Sequence, residues 1–101
     1  MLSPRQFKLL QAAAAHLEVL GIAREEAILI ISRTLEAELG ALGLKMEDMD
    51  GKSRTERFAF IRTVAHRLEK DIHGRGASQK QIRDAIAGFM DVLRASWQAE
   101  A

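Results

Sequence analysis

The sequence predicts an all-α domain: a compact bundle of four main helices with short loops. Three observations carry that expectation. Apolar residues recur at helical spacing along nearly the whole chain. S-x-x-E/Q patterns at Ser3, Ser53 and Ser78 stand in front of three of the apolar periods. Breakers are few and fall mostly between those periods, with one proline and seven glycines in 101 residues. Agreement between caps, periods and breakers argues more strongly than any single propensity. The expected helices are about 4–20, 23–39, 54–73 and 79–98, within a single domain spanning 1–101.

The first helix should open at Ser3. Pro4 suits the first helical position and Gln6 completes the capping box. Phe7, Leu10, Ala14 and Leu17 share a face, and Gly21 suits the left-handed stop. The second helix places Ile28, Ile31, Leu35 and Leu39 on one face. Its core run, "AILIIS" from Ala27 to Ser32, is rich in β-branched residues that favour strands. The stripe nevertheless continues through Leu35 and Leu39, which is too long for an ordinary strand. Gly40 and Gly43 are expected to break the helix, with "LKMEDMDGK" as a connecting segment.

The third helix begins at Ser53 with Glu56 as box partner, and Phe58, Ile61, Ala65, Leu68 and Ile72 form its stripe. "HGRG" ends it. The fourth begins at Ser78 with Gln81 as partner and packs Ile82, Ile86, Phe89, Leu93 and Trp97 along one side.

Composition removes several chemistries. The absence of cysteine excludes disulfides, thiolate metal sites and cysteine nucleophiles. No apolar run approaches the ~20 residues of a membrane span, and "MLSPRQFKLL" does not read as a signal peptide. A cytoplasmic location is the expectation. The net charge of +1 gives no overall pull toward nucleic acid. The halves differ, however. Residues 1–50 hold five Lys/Arg against eight Asp/Glu, and residues 51–101 hold ten against six.

"HLEVLGIAREEAILIISRTLEAEL" resembles the bacterial helix-turn-helix pattern, with Leu20-Gly21-Ile22 as its apolar-Gly-apolar turn. The resemblance covers about 22 residues and implies DNA reading by the second helix. Two features depart from the pattern. Leu17 stands where the family has a small residue, and Ile28 and Leu29 join Arg24 and Glu25 at positions that should present polar groups to bases.

The linker carries two further fragments. Asp48-Met49-Asp50-Gly51 has the middle of a calcium loop, but the first and twelfth positions are Met46 and Arg57. "DGKS" matches the end of a P-loop whose first glycine is replaced by Met46. The expectation for this segment is an acidic turn.

On the third helix, His66, Glu69 and His73 share a face at a spacing that could hold a divalent metal. Arg62 and Lys70 on the same face oppose a cation, so no metal or other cofactor is expected. His16 has no candidate partner nearby in sequence. No Ser-His-Asp order or paired catalytic carboxylates stand out, and no enzymatic activity is expected. A basic face is more concrete. Arg62, His66, Arg67 and Lys70 on the third helix, followed by Arg75 and Lys80, could track phosphates.

Apolar residues exceed what one stripe per helix can hide. Leu29 and Ile30 on helix two, Leu9 and Leu20 on helix one, and Phe60 on helix three all stand off the main faces. Leaving such residues in water costs on the order of 1.5–3 kcal/mol each. Either helix two is central and wrapped by the other three, or these residues form an interface; a homodimer built on helices one and two is the expectation. The functional expectation is a small non-enzymatic regulator or adaptor acting through helix-mediated protein interaction. The alternative is a nucleic-acid-binding transcriptional regulator using the hairpin and the basic face. A metal-assisted enzyme at His66, Glu69 and His73 is the third reading.

Overall fold

The computed structural model describes residues 4–98, whose elements are α1 (Pro4–Glu18), α2 (Arg24–Leu42), a 3-10 helix (Met46–Gly51), α3 (Arg54–Ile72) and α4 (Gln79–Gln98). The all-α expectation holds, and no strand occurs among the described residues. Each long helix packs on two others: α1 and α3 both lie against α2 and against α4. The result is a closed ring of helices, 38 × 25 × 25 Å overall. No described helix is long and apolar enough to cross a membrane.

Local chemistry explains most of the boundaries. Ser78 and Gln81 form a reciprocal capping box: Gln81 N–H donates to Ser78 Oγ at 3.1 Å, and Ser78 N–H donates to Gln81 Oε1 at 2.8 Å. At α3, Ser53 Oγ accepts from Glu56 N–H at 3.1 Å and its hydroxyl donates to the Glu56 carboxylate. The Ser3 box lies outside the described residues. α2 has no side-chain cap at Ala23, but Glu25 and Glu26 in its first turn complement the helix dipole.

The end of α2 departs from expectation. Gly40 does not break it; the helix runs on to Leu42. An internal glycine weakens a helix by about 1 kcal/mol without forbidding it. Here termination uses the left-handed backbone, which Gly43 supplies at φ 68°. Gly43 N–H then donates to Gly40 O and Leu44 N–H to Leu39 O, which closes the helix in a Schellman arrangement. α1 also stops earlier than expected, at Glu18, two residues before the predicted end.

The core joins Leu10, Leu17, Ile31, Leu35, Ile61, Leu68, Phe89 and Leu93, all buried. The ring explains the surplus apolar residues of α2. A helix with a neighbour on each flank needs a wider apolar sector than a one-sided stripe. Ile28 and Ile30 are both half-buried and packed against the core, with Ile31 at 0% exposure between them. On the α3 side, buried Thr34 donates to Ile30 O at 2.8 Å and reaches Asp71 Oδ2 at 3.4 Å.

Four expected aromatic positions need correction or fall outside the description. Phe60, expected at an interface, is 5% exposed and belongs to the core. α3 has α2 on one flank and α4 on the other. Phe60 faces the α2 side, sharing a cavity wall with Leu42 and Met49. Phe58, expected in the stripe, is only half-buried and lies toward α4 beneath the guanidinium groups of Arg54 and Arg94. Phe7, expected in the core, is 45% exposed. The side chain of Trp97 lies outside the described residues.

Candidate docking groove

An apolar groove of about 390 Å³ opens between the N-terminal half of α1, the C-terminal half of α2 and the chain leading into the 3-10 helix. Leu9 and Leu10 form one wall, Leu35 and Leu39 the second, and Leu44 and Met46 the third. Its placement follows from the end of α2. The Gly43 turn reverses the chain, and Leu44 folds back along the helix it has just left. Beyond it, Lys45 N–H donates to Asp48 Oδ2 at 2.8 Å, which starts the 3-10 helix. Met49 drives into the core at 2% exposure. Arg57 Nε donates to Met49 O at 2.9 Å, and the same guanidinium reaches Asp50 O.

The segment expected as an acidic turn is therefore an anchored helix. In Asp48-Met49-Asp50-Gly51, one carboxylate caps the segment and one carbonyl pair is held by Arg57, so the calcium-loop likeness has a structural explanation. A second cavity of about 440 Å³ lies across the segment, between the ends of α2 and α3, with Leu44 lining both.

The rim of the first groove is polar. Gln6, Ser32, Glu36, Lys45 and Glu47 surround it. Glu36 and Glu47 are exposed and stand on different walls, one on α2 and one on the 3-10 helix, each without a salt-bridge partner among the described residues. Exposed carboxylates without a cation remain free to meet a partner's charge.

The predicted interface residues divide. Leu29 is 46% exposed, whereas Leu9, Leu20 and Ile30 are half-buried against the core. Leu9 lines the groove. Phe60, as shown above, is not on the surface.

The predicted basic face is on the surface, but its charges are partly committed. Arg67 pairs with Glu38 at 3.1 Å, Arg75 with Glu26 at 2.7 Å, and Lys80 with Asp84 at 3.1 Å. Arg62 and Lys70 have no ion pair among the described residues, and His66 is exposed between them. His66, Glu69 and His73 do line one shallow surface hollow, of about 300 Å³, together with Lys70. Among the described residues, however, no three His, Asp or Glu side chains converge as a metal would require. Lys70 in that hollow adds a competing positive charge.

The helix-turn-helix resemblance meets a similar arrangement. Gly21 has the positive φ that the turn requires, at 86°. Arg24 at the start of α2 donates to Glu18 at 2.7 Å. That hydrogen bond, with the charge of Glu18 and to a lesser degree of Glu25, raises the Arg24 pKa above its ordinary value against a small desolvation effect. Ile28, at a position where the pattern presents groups to DNA, packs against the core.

One close contact has little signal in the sequence. His16 of α1 lies against Gly88 of α4: a Cβ placed on Gly88 would fall 2.6 Å from His16 Cε1 and 2.9 Å from Cγ. The available hint is an isolated glycine inside a strongly periodic helix, which commonly marks close packing.

Compared with known proteins, the chain matches no family model, no curated protein and no solved structure.

Proposed function

We propose that this chain is a small protein-interaction module, a regulator or adaptor, that seats an apolar segment of another polypeptide in the groove between α1, α2 and the 3-10 helix. The groove itself carries the reading. Six large apolar side chains converge on it, and polar groups are confined to its rim. That is the anatomy of a docking site, with an apolar floor that yields binding energy and a rim that selects orientation. Water is displaced from leucine and methionine surface on docking, at roughly 25 cal/mol per Å² removed. Self-association is a form of the same reading, because Leu29 and Leu42 are exposed on the helix that forms one wall.

The test is site-specific photo-crosslinking in the source cell from Ser32 at the groove, with Thr63 on the outer part of α3 as control. A discrete polypeptide adduct from Ser32 and not from Thr63 is the expected result. An adduct of two copies of this chain identifies the homodimer. Adducts to nucleic acid, or equal labelling from both positions, would reject groove docking.

A further inference from the structure

We infer that the groove takes a cationic amphipathic helix: an apolar stripe flanked by Lys or Arg. This rests on the docking reading above and adds the partner's chemistry. Two observations carry it.

The first is charge. The stretch that builds the second and third walls, residues 32–50, contains five acidic residues and two basic ones, Arg33 and Lys45. Within it, Glu38 is already paired to Arg67 and Asp48 already caps the 3-10 helix. Glu36 and Glu47 line the groove from two different elements, with no salt-bridge partner among the described residues. Among the described residues that line the groove, Lys45 alone opposes them, so this described rim is net negative. Carboxylates on both sides of an apolar trough attract a segment that carries cations on both sides of an apolar stripe.

The second is backbone chemistry. The walls are helical, and no strand edge exists among the described residues to pair with an incoming chain. An extended peptide would bring unpaired N–H and C=O groups onto leucine and methionine, which is costly. A helix arrives with its own hydrogen bonds made and presents side chains at i, i+3 or i+4, and i+7.

The experiment is a selection of random 14-residue peptides displayed against the full chain, with Gly40→Trp as the blocked control. Gly40 lines the groove and has open space where its Cβ would stand, so a tryptophan there fills the trough instead of the core. A charge-reversed protein, Glu36→Lys with Glu47→Lys, is selected in parallel. Both residues are exposed and have no salt bridge among the described residues, so the fold should tolerate the change, and circular dichroism of each variant checks this.

The expected result is a set of peptides lost on Gly40→Trp that combine helical apolar spacing with Lys or Arg. Their affinity should fall with salt and drop roughly tenfold or more on the charge-reversed protein, which should itself select acidic peptides. Groove-dependent peptides without a basic preference, or the same peptides on both proteins, would overturn the cationic helix and leave groove docking standing. Failure to recover any peptide sensitive to Gly40→Trp would overturn both. A wild-type dimer in sedimentation that Gly40→Trp dissociates would make the occupant a second copy and would also overturn the inference.

Discussion

Gly88→Ala offers a sharp test of the packing, because two effects of known sign oppose each other there. Gly88 lies inside α4, where replacing glycine by alanine ordinarily stabilises a helix by about 1 kcal/mol. The new methyl would meet the His16 ring at 2.6 Å from Cε1 and 2.9 Å from Cγ, inside any real carbon contact. Because Cγ is only two bonds from Cα, the ring cannot clear the methyl by a small terminal adjustment. It must change rotamer, or the α1–α4 spacing must open. Overpacking of this kind costs about 1–3 kcal/mol. The net expectation is destabilisation by up to about 2 kcal/mol. Each 1 kcal/mol lowers the Tm of a domain this size by about 4–8 °C. In a His16→Ala background the obstruction is gone, and Gly88→Ala should regain its full helix benefit. Urea unfolding of the four proteins, followed by circular dichroism, closes the double-mutant cycle. A coupling of about 1–3 kcal/mol is expected. Equal stabilisation by Gly88→Ala in both backgrounds would refute the contact and with it the α1–α4 register.

Three further outcomes follow from the same kind of reasoning. Gly40→Ala should stabilise the protein by about 1 kcal/mol, whereas Gly43→Ala should destabilise it by about 1–2 kcal/mol because its left-handed φ penalises a Cβ; equal effects in chemical denaturation would contradict the helix end described here. Phe60→Ala should cost about 3–5 kcal/mol and Leu29→Ala no more than about 0.5 kcal/mol, given their 5% and 46% exposures, and thermal melts separate the two. Ser78→Ala should lower stability by about 0.5–2 kcal/mol by removing the Oγ that accepts from the Gln81 amide, with amide exchange at the start of α4 accelerating in step.

Helix identity was legible in the sequence because its signals are local. Caps at Ser53 and Ser78 and the stripes of α3 and α4 depend on residues within one or two turns of each other. What failed depended on neighbours that periodicity does not encode. Phe58 and Phe60 lie on opposite flanks of the buried face of α3, about 160° apart by helix geometry. Which one is covered is decided by Met49 and the end of α2, elements distant in sequence. Gly40 and Gly43 are the same residue type three positions apart, and only the backbone conformation distinguishes an interior glycine from a terminating one. The groove was only partly visible. Leu9 stood out as surplus, but Leu35 and Leu39 read as ordinary core, and Leu44 and Met46 read as linker. His16 and Gly88 are too far apart in the chain for any local pattern to join them.

The 3-10 helix is where the fold and the proposed function meet. A groove wall made of loop would have to be ordered each time a partner arrived, and that ordering opposes binding. Here the wall is fixed before any partner is present. Met49 anchors it from below, the Arg57 guanidinium holds the carbonyls of Met49 and Asp50 from α3, and Asp48 caps it against the Lys45 amide. The same segment leaves Glu47 facing solvent. Its acidic residues thus divide: Asp48 shapes the wall, and exposed Glu47 is the carboxylate that the proposed docking assigns to a partner. Arg57 acts on this wall from another helix, so Arg57→Ala should loosen the groove while leaving the leucines of α1 and α2 in place. Faster amide exchange in residues 46–51 with unchanged exchange in the centre of α2 would show that separation. Uniform acceleration across both would instead mean that the wall and the bundle unfold as one unit.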